Sequence, residues 1–202
     1  MLPILYSYRR CPYAMRARMA LQYSGTKVEH REIDLRKKPQ SMLLASPKGT
    51  VPILIVDDLM LDQSLEIIHW ALQKSDPDNW SEIDKDAAQI WIEKNDGPFK
   101  ALLDQYKYPN RHPNLNQNDV LNAAIELMLK PMDDALKSSQ FLLGNKQSWL
   151  DAAIFPFIRQ FSMVNLERFD QLPLPALKKW LAQYLQSELF HAVMYKYPTW
   201  KD

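Results

Sequence analysis

The sequence predicts an α/β domain followed by an all-helical one. Up to Lys74 the chain alternates short apolar, strand-like runs with helix-like ones; Asp76-Pro77-Asp78-Asn79 is a polar, turn-forming break; beyond it strand signals vanish. A length of 202 residues suits two domains, and 47% apolar residues supply a sizeable core. The expected organisation is residues 1–76 as the α/β domain, 77–85 as a linker and 86–202 as the helical domain.

Leu2 to Tyr8 reads as the first strand. Pro12 to Tyr23 follows as a helix, with Tyr13, Ala17, Ala20 and Leu21 on one face. Pro12 suits the first helical position, where its missing N–H would be unpaired anyway, and Gly25 suits the helix end. Val28 to Leu35 is a second strand, and a short helix follows. Pro52 to Val56 is a third strand, Asp57-Asp58 turns, and Leu59-Met60-Leu61 returns as a hairpin partner. Ser64 to Lys74 is a helix with Leu65, Ile68 and Leu72 on one face. A crossover helix between the first two strands implies parallel pairing; the tight turn implies an antiparallel hairpin. Asp86 to Leu103, Asn118 to Leu136, Ser148 to Val164 and Ala176 to Leu185 then read as helices, with Pro131 kinking the second. Ser148-Trp149-Leu150-Asp151 has the form of a capping box opening the third, although Gln147 makes a poor hydrophobic staple.

The net charge of +1 gives no electrostatic case for nucleic acid or an anionic membrane. One cysteine excludes an intramolecular disulfide and fits a reducing compartment. No basic region followed by a long apolar run marks a signal peptide, and no segment approaches the ~20 apolar residues of a membrane span. A soluble cytoplasmic protein is expected. The four histidines, His30, His69, His112 and His191, are scattered without metal-ligand spacing, so no metal is expected.

Cys11 lies at the first strand-to-helix junction, with Arg9 and Arg10 before it and Pro12 after it. Backbone N–H groups and the helix dipole favour a thiolate there, the reactive form of cysteine. Position 14, where a dithiol oxidoreductase carries its second cysteine, holds Ala14. A disulfide on Cys11 must therefore be resolved by an outside thiol. Three further features accompany it. Val51-Pro52, after Gly49-Thr50, is either a cis peptide offering the Val51 backbone to a peptide ligand or an ordinary trans proline at a strand edge. Gln63-Ser64 starts a helix, where Ser64 either binds a carboxylate or caps its own helix. The basic turn Arg36-Lys37-Lys38-Pro39 either holds a second carboxylate or is solvated surface.

In this order and spacing, Cys11-Pro12-Tyr13-Ala14, Lys38-Pro39, Val51-Pro52 and Gln63-Ser64 resemble the glutathione-site motifs of the cytosolic glutathione transferases. The Cys-Pro-Tyr-Ala start is similar to the omega class and to glutaredoxins. The resemblance covers the whole chain and implies a thioredoxin-like N-terminal domain, an all-α C-terminal domain, glutathione as co-substrate and a homodimer. It implies that Cys11 forms a mixed disulfide with glutathione or stabilises its thiolate, and that Tyr13 lines the pocket. It further implies that Val51 pairs with the cysteinyl backbone beside a cis Pro52, that Gln63 and Ser64 hold the γ-glutamyl carboxylate, and that Lys38 meets the glycyl carboxylate. Glutamine at 63 departs from the omega pattern, which has an acid there, and is similar to the zeta class. The implied activity is glutathione-dependent thiol transfer or reduction acting on a disulfide-containing or small hydrophobic second substrate. Conventional conjugation to electrophiles and a non-catalytic binding module on the same fold are the alternatives. Tyr6, Ser7 and Tyr8 lie where other classes place a catalytic hydroxyl, but packing is the expected role for them. Packing is likewise expected for Trp91, Tyr106 and Trp200.

Overall fold

The computed structural model describes residues 1–202. The chain divides into two compact units, Met1–Ser81 with Gln186–Asp202, and Glu82–Leu185.

The first unit is built on a four-stranded mixed sheet in the order β2-β1-β3-β4, with β1 at Ile4–Ser7, β2 at Glu29–Glu32, β3 at Ile53–Val56 and β4 at Leu59–Leu61. β1 pairs parallel with β2 and antiparallel with β3; β3 and β4 form the hairpin around Asp57, whose φ of 50° lies in the left-handed region. The helices of this part are α1 (Pro12–Tyr23), α2 (Gln40–Ala45) and α3 (Ser64–Lys74). Helix α1 occupies the residues its sequence signals bracket. Pro12 starts it, and Gly25, at φ +68°, turns the chain away after it. Its Ala14, Met15, Ala17, Met19, Ala20 and Leu21 are buried, and it packs against α3, in which Ile67, Ile68, Ala71 and Leu72 are buried. Tyr6, Ile53 and Ile33 form a core cluster with Met42 of α2, Ala14 and Val51, against which Cys11 and Trp200 also pack.

The second unit contains α4 (Lys85–Lys94), α5 (Lys100–Lys107), α6 (Gln117–Ala124), α7 (Lys130–Ser138), α8 (Trp149–Ser162), α9 (Leu166–Asp170) and most of α10 (Pro175–Gln186). Helix α8 is its axis: from Trp149 to Ile158 every residue is buried. The capping box is in place, with Asp151 Oδ2 accepting from the Ser148 amide at 3.3 Å and the Ser148 hydroxyl at 2.9 Å. Two expected continuous helices, the second with its expected disturbance at Pro131, are each interrupted by a π turn, Asn95–Phe99 between α4 and α5 and Ile125–Leu129 between α6 and α7. The Lys100 amide donates to Asn95 O and the Lys130 amide to Ile125 O, five residues back. Proline is the physical reason: Pro98 lies inside the first π turn and Pro131 follows the second. A wider turn relieves the clash of the ring with the carbonyl four residues earlier. The expected kink at Pro131 takes this form.

The chain's last stretch differs from the expected helical region 86–202. Residues 186–202 group with the first unit. Helix α11 (Glu188–Val193) packs on α1. Beyond it Thr199 bridges Glu32 of β2 in parallel, and the Trp200 amide donates to Glu32 O at 2.7 Å. The Trp200 ring lies under the Arg31 guanidinium at 4.2 Å and meets Tyr6 edge-on at 5.8 Å, while Asp202 Oδ2 accepts from the Gln40 amide at 2.6 Å. Pairing of a free strand edge and burial of an indole draw the segment back to the sheet. No helix is long and apolar enough to cross a membrane.

Candidate active site

Cys11 is the N-cap residue of α1, in extended conformation at φ −73°, ψ 124°, and its side chain caps no first-turn N–H. Its amide donates to Tyr8 O at 3.0 Å and its carbonyl accepts from the Met15 amide at 2.9 Å, so the loop after β1 and the first helical turn fix its backbone from both sides. The residue is partly exposed, and the first turn of α1 holds no acidic side chain. Cys11 Sγ lies 3.8 Å from Val51 O, a weak S–H donation that brings two of the expected site residues together.

Val51 precedes β3, whose pairing with β1 starts at Ile53, and the Val51–Pro52 peptide is cis. The approach to it is shaped by Gly49, at φ +59°. A Cβ there would stand 3.0 Å from Leu43 Cδ2 and 3.2 Å from Lys38 Nζ, so the positive φ favours glycine at this position and a side chain would press the Lys38 ammonium away from this backbone. Lys38 is otherwise exposed, in the connection leading to α2.

Gln63 is the N-cap residue of α3, and its Nε2 donates to Asp62 Oδ1 at 3.0 Å rather than into the helix. Ser64 is the first helical residue, 4% exposed, and it does not cap α3. Its Oγ accepts from Arg16 Nε at 2.9 Å, and the Arg16 guanidinium lies 5.0 Å from the centre of the Tyr13 ring. Tyr13, Arg16 and Ser64 thus form one contact chain from the helix after Cys11 to the start of α3. With its lone pair engaged by a cation, the Ser64 hydroxyl is left to direct its proton elsewhere. Asp62 itself is held below the usual carboxylate range by the Lys48 ammonium at 2.8 Å, against the opposing effect of burial and with help from Gln63.

Two of the hydroxyls set aside in the sequence are tied into side-chain hydrogen bonds. Tyr6 Oη bonds Ser41 at 2.9 Å and accepts from Arg31 at 2.7 Å, and Ser7 Oγ accepts from Arg18 Nη1 at 2.6 Å. Tyr106 is buried against Phe161 at 5.0 Å in the second unit. Arg16 and Arg18 are the residues that sequence reasoning passed over. Their signal was present: α1 is apolar around nearly its whole circumference, so neither arginine has a polar face to occupy. Arg16 is 2% and Arg18 5% exposed.

Comparison with known proteins gives a consistent result. The model of the glutathione S-transferase N-terminal domain matches residues 5–80, and that of the C-terminal domain matches residues 99–183. Mouse glutathione S-transferase omega-1 is 24% identical over 190 residues, covering 90% of this chain and 76% of that one. Among solved structures, a possible glutathione S-transferase from Rhodopseudomonas palustris superposes with a TM-score of 0.79 at 19% identity, covering 97% of this chain and all of that one. A glutathione transferase family member from Pseudomonas fluorescens with two glutathione bound gives a TM-score of 0.77 at 18% identity, covering 96% and 92%. Two family models that between them take in the sheet with α1 and α3 and most of the helical unit make the chain a member of the glutathione S-transferase superfamily.

Proposed function

We propose that the chain catalyses glutathione-dependent thiol transfer through Cys11. The observation that carries this reading is the lone cysteine: partly exposed, at the N-terminus of α1, with no acid in the first turn and its sulfur against the Val51 carbonyl. The Cys11 thiolate attacks one sulfur of a glutathione mixed disulfide. A new S–S bond forms between Cys11 and glutathione, the old S–S bond breaks, and the departing thiolate takes up a proton. A second glutathione thiolate then attacks the glutathionyl sulfur, releasing glutathione disulfide and restoring the Cys11 thiolate. Ala14 leaves no internal thiol to compete for that second step.

In this reading the backbone of Val51 beside Pro52 aligns the cysteinyl portion of glutathione. Gln63 and Ser64 hold the γ-glutamyl carboxylate at the start of α3, where unpaired N–H groups and the helix dipole favour an anion. Lys38 meets the glycyl carboxylate and Tyr13 lines the sulfur's surroundings. The Pseudomonas fluorescens neighbour with two glutathione bound supports glutathione as the ligand. Conjugation to an electrophile is disfavoured because a protein thiolate competes with glutathione as nucleophile.

Cys11→Ala tests the reading. Thiol transfer to a mixed disulfide is expected to fall by at least about a hundredfold with the circular dichroism spectrum unchanged. The parent protein, treated with glutathione disulfide, is expected to gain one glutathionyl mass on the peptide containing Cys11. Full activity in the variant, or no adduct in the parent, sinks it.

A further inference from the structure

Arg18 is a buried cation with no carboxylate in contact. Nε donates to Val193 O at 3.1 Å, Nη1 to Ser7 Oγ at 2.6 Å and Tyr8 O at 3.3 Å, and Nη2 to Arg9 O at 2.7 Å. Every acceptor is a neutral oxygen, and three of the four belong to consecutive residues of the segment that delivers Cys11. A buried guanidinium bonded only to dipoles keeps its net charge, and its field is screened far less than that of a solvated side chain. The Cys11 sulfur needs such a charge, because the Val51 carbonyl that accepts its S–H favours the neutral thiol.

We propose that Arg18 is the positioning residue for Cys11: from beneath the loop it fixes Ser7, Tyr8 and Arg9 and supplies a buried positive charge, in contact with no carboxylate, that holds the Cys11 sulfur as a thiolate. Burial lowers the Arg18 pKa to about 10, with Glu32 and Cys11 acting in the opposite direction, so the group remains a cation at neutral pH. The other groups acting on Arg18 are Arg9 from the loop and Tyr197 from the returning C-terminal segment. The titratable chain neighbours of Cys11 are Tyr8, Arg9, Arg10, Tyr13 and Arg16, of which Arg10 donates to the Tyr8 hydroxyl at 3.0 Å and Arg16 to Ser64. Glu32, whose Oε1 accepts from the Arg9 amide at 2.6 Å and whose Oε2 lies 3.1 Å from His30 Nε2, is the carboxylate whose removal leaves Arg18 less compensated.

The proposal rests on the reading of Cys11 as the reactive thiol, and its test needs no glutathione. The rate of Cys11 alkylation by iodoacetamide is followed against pH in the full chain. Arg18→Met is expected to raise the midpoint by about one pH unit, slowing alkylation about tenfold below the midpoint. Glu32→Gln, which keeps the hydrogen-bonding shape and removes the charge, is expected to lower the midpoint by a few tenths of a unit. The two shifts have opposite signs, which a merely structural role for Arg18 does not produce. A folded Arg18→Met protein with the parent's midpoint overturns the proposal. Should Arg18→Met fail to fold, Glu32→Gln decides alone, and a midpoint unchanged or raised overturns it. If the midpoints shift as expected but no glutathione adduct forms on Cys11, the thiol-transfer reading fails and the role of Arg18 stands.

Discussion

Arg18 in the first unit and Asp151 in the second are opposite charges buried in the same way. Neither touches a counter-ion. Arg18 gives its N–H groups to three backbone carbonyls and one hydroxyl. Asp151 accepts from the Leu142 amide at 3.0 Å, Trp180 Nε1 at 3.1 Å, and the amide and hydroxyl of Ser148. Burial pushes each toward its neutral form: Arg18 downward to about 10, Asp151 upward against the restraining effect of its hydrogen bonds. What separates them is the company they keep. The donors to Asp151 lie in the Phe141–Gly144 turn, the start of α8 and the middle of α10, so its charge joins three pieces of fold. The acceptors of Arg18 lie in the segment leading to the single cysteine. The pair teaches that burying a charge on dipoles is a structural device in itself, and becomes a chemical one only where a reactive group lies within reach of the field.

Asp151→Ala probes the structural half most strongly. It orphans the Leu142 amide, the Trp180 indole N–H and the Ser148 amide inside the core. The expected loss is about 3 kcal/mol, read as a fall in thermal midpoint of roughly 6–12 °C. The pH midpoint for Cys11 alkylation in the folded variant is expected to match the parent. A shift in that midpoint would erase the distinction between the two buried charges.

Ser64→Ala is the next test, because Ser64 links the other buried arginine of α1 to the start of α3. Removing the proposed ground-state contact to the γ-glutamyl carboxylate is expected to raise the glutathione KM about fivefold to tenfold with kcat nearly unchanged. Ser64→Thr, which keeps the hydroxyl, is expected to recover most of the loss. An unchanged KM in Ser64→Ala ends the carboxylate assignment and leaves Ser64 as a partner of Arg16 alone.

Features carried by neighbouring residues were legible in the sequence. Pro12 and Gly25 bracket α1, Asp57-Asp58 turns the β3–β4 hairpin, and Ser148 with Asp151 opens α8, because each depends on local backbone geometry and local hydrogen bonds. Cys11 and Val51 were legible as separate motifs, whereas their meeting at 3.8 Å is a product of sheet topology. The two π turns were hidden because the prolines announce a disturbance and the surrounding packing chooses its form. The returning C-terminal segment was hidden more deeply. Trp200 on Arg31 and Asp202 on Gln40 join residues far apart in sequence, and nothing in Tyr197-Pro198-Thr199-Trp200 says which strand edge it meets. The buried arginines fall between these cases: the apolar circumference of α1 gives away their burial, but only the folded loop reveals what Arg18 binds.

Asp62 sharpens the comparison from the other side, as a charge that does have an ion-pair partner but lies in contact with solvent. Its pairing with Lys48, whose side chain is 60% exposed, depresses its pKa, so the folded state favours the carboxylate. The stabilisation is therefore fully present above the unfolded carboxylate value of about 4 and is lost as pH falls through the lower folded value. Solvent screening holds it to about 0.5 kcal/mol or less. Asp62→Asn is expected to melt slightly below the parent at pH 7, by about 1–2 °C, and the two melting curves are expected to converge by about pH 3. Raising the salt from 0.1 M to 1 M at pH 7 is expected to close the gap as well, since an exposed pair is screened within about 3 Å at that ionic strength. The Arg18-dependent shift in Cys11 alkylation is expected to survive the same change of salt, because solvent ions do not reach a guanidinium enclosed by backbone carbonyls. Loss of that shift at 1 M salt would place Arg18 with Asp62 among the solvated charges.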